Sequence, residues 1–405
     1  MTLHDRLAEL SARAKFGMTL GLDRMRSALA EVGDPHLGLA VAHVTGSNGK
    51  GSTSAMIESI ARAAGLRTGL YTSPHLARFA ERIRIGGAPI EDAPFEDALT
   101  KALRVAGGDL TFFEVLTVAA LLAFRDARVD LAVLEVGLGG RLDATNVVPA
   151  PLACAITSIS LEHTAVLGDT IDAIAREKAG ILKPNVPYVL GRLPPEAERA
   201  IEDVARSVGA GPRWDRPLLP MKSALRGEHQ RWNAAVASAV AEVLSSRFPS
   251  IRGAVERGLA EVTWPGRYER IASDRGVTVL FDGAHNEEGA IALERALEED
   301  GVDPARTTLV FGALADKSFS SMLTRIAPRA HRRVYTAPKG RAPASFEALT
   351  AIAPGEIVPE PADAIARALE NAAPGDTVLV TGSLYLVGEV RAVVLGLPAD
   401  PIIPL

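Results

Sequence analysis

The sequence predicts an α/β protein of two domains, each a mostly parallel sheet flanked by helices. Three observations carry that expectation. Strand-like apolar runs alternate with helical periodicity, as in residues 39–44 followed by 52–64, and 131–136 after the helix-like stretch 115–124. A Pro-Gly pair within Thr263-Trp264-Pro265-Gly266-Arg267 interrupts the pattern, and a fresh strand–turn–helix series follows with 277–282, 308–311 and 377–380. A chain of 405 residues also exceeds what one ordinary core holds. The expected division is 1–265 and 266–405. Within the first part, residues 193–220 are rich in Pro, Gly and Arg and show no strong core pattern, whereas 234–244 reads as a helix of small residues.

Composition narrows the function classes. Apolar residues make up 47% and charged residues 23%, the balance of a globular protein. A net charge of −5 argues against general nucleic-acid binding, which needs clustered Lys and Arg. The single cysteine, Cys154, sits in an apolar run and is expected to be a buried structural thiol. The N-terminus lacks a signal-peptide pattern, and the longest apolar run, 116–124, is far short of the roughly 20 residues that span a bilayer. A cytoplasmic protein without membrane contacts is expected.

The strongest chemical signal is Val44-Thr45-Gly46-Ser47-Asn48-Gly49-Lys50-Gly51-Ser52, a strand entering a glycine-rich turn and then a helix. Glycines let backbone N–H groups turn towards phosphate oxygens, the helix N-terminus adds a favourable dipole, and Lys50 supplies a mobile cation. The spacing G-x-x-G-K-G-S is shorter than the common phosphate-loop pattern, so a glycine-rich turn with an exposed lysine is the alternative. The later run Gly137-Leu138-Gly139-Gly140-Arg141-Leu142 fails as a dinucleotide fingerprint, because Leu142 replaces its third glycine and no helix is expected at 143–146.

Glu135, at the end of an apolar strand, is placed to hold Mg²⁺ or to be a partly exposed strand-end acid. His163 follows the strand-like run 153–159 and approaches the same sheet edge, although Mg²⁺ prefers oxygen and a structural histidine fits as well. The expected helix 170–182 puts Lys178 on or beside its apolar face, as a snorkelling side chain or as an amine that desolvation deprotonates. Asp282 closes the strand 277–282 and reads either as a ribose-binding acid or as a helix cap.

Together, Gly46–Ser52, Thr72-Ser73-Pro74-His75-Leu76, 134–146, Leu161-Glu162-His163, Arg176-Glu177-Lys178-Ala179-Gly180-Ile181, Pro265-Gly266-Arg267 and 281–286 resemble the ordered motifs of the folate-glutamate ligases, the dihydrofolate synthase/folylpolyglutamate synthase family of the Mur-ligase superfamily. The resemblance runs from Leu20-Gly21-Leu22 to Thr381-Gly382-Ser383-Leu384-Tyr385. It implies a P-loop-type N-terminal ATPase domain and a smaller Rossmann-like C-terminal domain. It also implies an ATP-dependent carboxylate–amine ligase that adds L-glutamate to dihydropteroate or reduced folates through an acyl phosphate.

By the same resemblance Ser47, Asn48, Gly49, Lys50, Gly51, Ser52, Asn233, Arg267, Asp282 and His285 bind ATP. Ser73 and Glu135 hold one Mg²⁺ and His163 a second, with K⁺ as a further cation, and Lys178 is the carbamylated lysine. Thr111, Phe112, Phe113, Glu114, Leu142, Asp143 and Ala144 meet the pterin, and Ser383 receives glutamate. Lys50, Glu135, His163 and Lys178 are the catalytic set. Partners are small molecules alone, and a monomer is implied. A cell-wall peptide ligase of the same superfamily and a P-loop ATPase are the alternatives. The ATPase would leave residues 111–114, His163 and Lys178 without roles.

Overall fold

The computed structural model describes residues 2–16, 21–107, 109–315 and 317–401; Leu20, the first residue of the family resemblance, lies outside them. The chain forms two compact units. The first comprises Met1–His75, Phe79–Ala224 and His229–Thr263, and the second Leu76–Arg78, Leu225–Glu228 and Trp264–Leu405.

The first unit contains strands β1 (Val41–Thr45), β2 (Thr68–Tyr71), β3 (Ile83–Ile85), β4 (Ala88–Pro89), β5 (Leu131–Glu135), β6 (Ala153–Ile156) and β7 (Tyr188–Leu190), in sheet order β4-β3-β2-β5-β1-β6-β7. The five strands from β2 to β7 run parallel, and β3 and β4 add an antiparallel edge. Every residue of β1, β2, β5 and β6 is buried. That is why they read as continuous apolar runs rather than alternating ones. The register pairs Val44 with Glu135, Thr45 with Ile156 and Tyr71 with Leu134. The loops after β1, β2, β5 and β6 therefore leave from one edge of the sheet, where α/β proteins place ligands.

The second unit carries β8 (Glu269–Ala272), β9 (Thr278–Phe281), β10 (Thr307–Phe311), β11 (Arg332–Tyr335), β12 (Glu356–Ile357) and β13 (Thr377–Thr381), ordered β12-β11-β10-β13-β9-β8. Only the β8–β9 pair is antiparallel among these. One core face gathers Leu280, Leu309, Phe311 and Leu379, and the other Val279, Phe281, Val310, Val378 and Val380. Helix Leu384–Leu395 comes close to Leu76, because at Gly388 an added Cβ would lie 2.0 Å from the Leu76 carbonyl oxygen.

Three local differences from the sequence reading have physical causes. Residues 193–220 contain a helix, Pro195–Val208, whose buried face is Ala197, Ala200, Ile201 and Ala205. Alanines make a quiet hydrophobic pattern, so the stripe escapes a search for large apolar residues. The helix expected over 170–182 is shorter, Ile171–Ala179, with Thr170 capping its start and Gly180 at its end. Residues Ala144–Val147 form a short 3₁₀ turn capped by Asp143, where no helix was expected. Cys154 is fully buried and its thiol donates to the Ile181 carbonyl, as a structural thiol should.

Helix Val255–Glu261 packs against helix Lys50–Ala63 at Gly258, where a Cβ would lie 2.4 Å from the Ile60 Cα. Ser59 also donates to the Gly258 carbonyl at 2.8 Å. Gly258→Ala should therefore lower unfolding stability by about 1–3 kcal/mol, the usual cost of overpacking, measured by urea denaturation.

Candidate active site

The glycine-rich turn after β1 is built to present backbone N–H groups. Gly46 has φ +150 and Gly49 φ +84, and neither position has room for a side chain. A Cβ at Gly46 would meet Thr157 Oγ1 at 2.0 Å, and one at Gly49 would meet Asn233 Oδ1 at 2.4 Å. The turn is pinned from the loop after β6. Ser47 N donates to the Ser158 carbonyl at 2.8 Å, Asn48 N to Ser158 Oγ at 2.9 Å, and Thr157 Oγ1 to the Asn48 carbonyl at 2.6 Å. Helix Lys50–Ala63 starts at Gly49 with no side-chain cap. The first N–H groups of a helix have no partner within it, so an uncapped start is a seat for an anion. Asn233 lies against the turn and donates to Gln230, which in turn donates to Ser52 Oγ at 3.2 Å.

Two lysines converge on this turn. Lys50 Nζ donates to the carbonyls of Gly46, at 2.7 Å, and Ser47, at 3.0 Å; Lys178 Nζ donates to the same Gly46 carbonyl at 3.0 Å. Lys178 is 1% exposed, so its amine is not snorkelling. Burial first, and then repulsion from Lys50, bring its pKa down to about 8, against the pull of Glu162. Glu162 Oε1 sits 2.7 Å from Lys178 Nζ as an ion pair. Burial works to raise the Glu162 pKa, but the charges of Lys50 and Lys178 outweigh it and hold the carboxyl at about 2. His163, next in sequence, has a left-handed backbone, φ 46 and ψ 39, at the start of the short helix Thr164–Leu167.

Glu135 is buried at the end of β5, and its Oε2 accepts the Ser73 N–H at 3.1 Å, so two of the expected metal residues adjoin. Among the described residues no three His, Cys, Asp or Glu side chains form a group that could hold a metal ion. A carboxylate at a strand end beside a phosphate loop suits Mg²⁺ all the same, because that ion is commonly held by one or two carboxylates together with substrate phosphates.

The expected pterin residues fall into two kinds. Thr111 and Glu114 form a capping box on helix Phe112–Asp126. Glu114 Oε2 accepts the Thr111 N–H at 2.8 Å, while its Oε1 accepts from Arg24 at 2.9 Å. Asp143 is likewise engaged: Oδ2 accepts from the N–H groups of Gly137 and Leu138, and Oδ1 from the N–H and hydroxyl of Thr145. Ala144 is buried, and Phe112 packs edge-on against Phe79 beneath the Arg82 guanidinium. Leu142 and Phe113 are half-buried and keep surface to offer. The Phe113 ring lies against Gly137, where a Cβ would approach it to 2.5 Å, and is tilted towards Tyr71 at 5.8 Å.

In the second unit Asp282 follows β9 and is not the helix cap. Asn286 caps helix Glu287–Glu299, accepting from Gly289 N at 2.8 Å. Asp282 instead accepts from Tyr268 N at 3.0 Å and Ala284 N at 2.9 Å, and burial raises its pKa against the nearby Arg267 guanidinium. Arg267 lies over Gly283, where a Cβ would meet its Nη1 at 2.2 Å. His285 Nδ1 is 2.8 Å from the Gly283 carbonyl. Ser383 is 2% exposed and caps the last helix through the Tyr385 N–H.

Sequence reasoning passed over Glu162, Thr157, Ser158 and Gln230. Glu162 carried a signal, since a buried lysine needs a nearby carboxylate to remain charged. The hydroxyls carried none, because Ser and Thr after a strand are ordinary loop residues.

Residues 44–190 match the Mur ligase middle domain, and residues 266–384 the Mur ligase, glutamate ligase domain. The dihydrofolate synthase/folylpolyglutamate synthase of Bacillus subtilis is 34% identical, over 94% of this chain and 96% of its own length. The folylpolyglutamate synthase of Lacticaseibacillus casei is 36% identical, over 92% and 94%. A probable bifunctional folylpolyglutamate synthase/dihydropteroate synthase of Haloferax volcanii is 36% identical over 96% of this chain, which spans only 50% of that protein. Among solved structures, Escherichia coli FolC in complex with DHPP and ADP superposes with a TM-score of 0.82 at 31% identity, covering 98% of both chains. The Yersinia pestis bifunctional synthase with AMPPNP and Mn ion gives 0.83 at 31%, covering 97% of this chain and 98% of that one.

The Glu162 charge makes an acid-side prediction. Its folded-state pKa lies below the ordinary value, so its stabilisation is present above about pH 4.5 and is lost as pH falls towards 2. Urea unfolding of wild type against Glu162→Gln should show a gap on the order of 3 kcal/mol at pH 6, as an upper bound, closing below pH 3.

Proposed function

We infer the parts played by individual residues from one premise: this chain belongs to the dihydrofolate synthase/folylpolyglutamate synthase family of Mur ligases. It is an ATP-dependent ligase that joins glutamate to folates, and it works with a divalent metal ion. The observation that carries the residue assignments is the convergence of Lys50 and Lys178 on the Gly46 carbonyl.

In the proposed reaction the turn Ser47–Ser52 seats the ATP phosphates at the uncapped start of helix Lys50–Ala63, whose first N–H groups face them, and Lys50 exchanges its two loop carbonyls for phosphate oxygens. The γ-phosphoryl group passes to the acceptor carboxylate, giving an acyl phosphate and ADP. The glutamate amine then attacks the acyl carbon, and phosphate leaves. Glu135 and Ser73 would hold one Mg²⁺ and His163 a second, and the bound ion would supply charge neutralisation to the transferring group; K⁺ would be a further cation of the same proposal. Asn233, Arg267, Asp282 and His285 contact the nucleotide, and Ser383 the glutamate.

The acceptor, dihydropteroate or a reduced folate, meets Phe113 and Leu142. Thr111, Phe112, Glu114, Asp143 and Ala144 shape that surface, since the polar atoms of Thr111, Glu114 and Asp143 are already engaged and the side chains of Phe112 and Ala144 are buried. The proposal extends to a monomeric, cytoplasmic enzyme with small-molecule partners, on the family resemblance and the lone buried thiol. A P-loop ATPase would give the buried Lys178 no task.

Lys178 is proposed to react as its neutral amine with CO₂, forming an N–C bond and releasing one proton. Above about pH 8 the amine is mostly neutral. A carbamate signal from ¹³C-bicarbonate should accordingly grow in NMR spectra between pH 7 and 9 and be missing from Lys178→Ala; its absence from wild type would remove this role.

Turnover is tested by ADP release with Mg²⁺, K⁺ and glutamate, comparing dihydropteroate, tetrahydrofolate and no acceptor. Acceptor-dependent release is expected, and it should fall at least 1000-fold in Lys50→Ala and Glu135→Ala, about the effect of removing transition-state charge stabilisation. Wild-type rates in either variant would overturn its assignment.

A further inference from the structure

His43 lies in the middle of β1, paired in register with Leu134 and Cys154, and is fully buried. None of the roles above uses it. A polar ring in the middle of a sheet is costly unless it is hydrogen-bonded, and one nitrogen is: Nε2 lies 2.8 Å from Thr145 Oγ1.

The proton positions follow from the partners. Burial raises the Asp143 pKa, but the carboxylate accepts three backbone N–H groups, a donor set that favours its charged form, and it also takes the Thr145 hydroxyl at 2.5 Å. Thr145 has one hydroxyl proton, which goes to Asp143, so its oxygen is left to accept and His43 Nε2 carries the ring proton. Nδ1 has no hydrogen-bond partner among the described residues. Burial, and then Lys183, hold the ring pKa at about 3, so the imidazole stays neutral and its single donor stays on this path.

Thr45, two residues on, shares the same face of β1. Its hydroxyl donates to the Gly139 carbonyl at 2.7 Å. Two polar side chains of one strand thus grip loop 137–145 at both ends, and that strand leads directly into Gly46.

We propose that His43 is a positioning residue: through Thr145 and Asp143 it fixes the acceptor loop on the phosphate-loop strand, and so sets the affinity for the pterin or folate acceptor rather than for ATP. The inference rests on the reading that Phe113 and Leu142 meet the acceptor.

The test compares His43→Leu, His43→Gln, Thr145→Val and the double variant His43→Leu/Thr145→Val. Steady-state ADP release gives KM for ATP and for acceptor, with thermal unfolding as the check on folding. His43→Leu and Thr145→Val should each raise the acceptor KM about tenfold, the effect of losing one buried hydrogen bond, and leave the ATP KM within about twofold. The double variant should be no worse than the worse single one, because both cut the same chain of bonds. His43→Gln, whose amide can still donate, should recover most of the loss.

Parallel rises in both KM values, wild-type behaviour of His43→Leu, or additive losses would overturn the proposal. If His43→Leu does not fold, Thr145→Val with His43→Gln decides. Phe113→Ala and Leu142→Ala separate the premise: an unchanged acceptor KM in both means that the acceptor binds elsewhere, whatever His43 does.

Discussion

The first unit is organised around one carbonyl group. Gly46 O receives both the Lys50 and Lys178 ammonium groups, and Glu162 supplies the opposing charge. Two cations so close would repel each other if nothing were between them, and the carbonyl dipole and the carboxylate make the arrangement tolerable. Much of the local backbone serves this point. Gly46 must lack a Cβ because Thr157 occupies its space, and Gly140 must lack one because the carbonyls of Glu177 and Lys178 lie 2.9 and 2.7 Å from where it would be. The helix that carries Lys178 is thereby seated on the loop that follows β5, at the same sheet edge as the phosphate turn.

Much of this was legible in the sequence because each part has a local signature. Buried parallel strands read as apolar runs, the Gly46–Ser52 turn announces itself by composition, and Thr170 before Lys178 marks a helix start. What escaped was mostly non-local. Nothing in residues 157–160 tells that their hydroxyls and carbonyls will pin the phosphate turn, since that depends on β6 lying beside β1. The helix Pro195–Val208 was hidden for a different reason, having a buried face made largely of alanine.

Chemistry was harder to read than topology. A carboxylate in a motif looks available for ligands until its neighbours are known. Glu114 and Asp143 both turn out to have their oxygens committed to nearby N–H and hydroxyl groups, Glu114 as half of a capping box and Asp143 as the clasp of a loop. Asp282 shows the reverse case, where the cap belongs to Asn286 and the acid ties Tyr268 and Ala284 together instead. Spacing shows which acids lie near a site, whereas the count of donors aimed at them shows what is left for a ligand.

The close approach of Gly388 to Leu76 bears on how the chain can be dissected. The second unit includes Leu76–Arg78 and Leu225–Glu228, both drawn from far upstream of Trp264. The missing Cβ at Gly388 makes room for the Leu76 carbonyl, and Leu76 also packs under Gly266 and Val387. A fragment cut at Trp264 would start without the residues that fill those places, and its sheet would be complete while its apolar floor was not. The two units are thus distinct as cores but interleaved as segments of chain, and no single cleavage yields both intact.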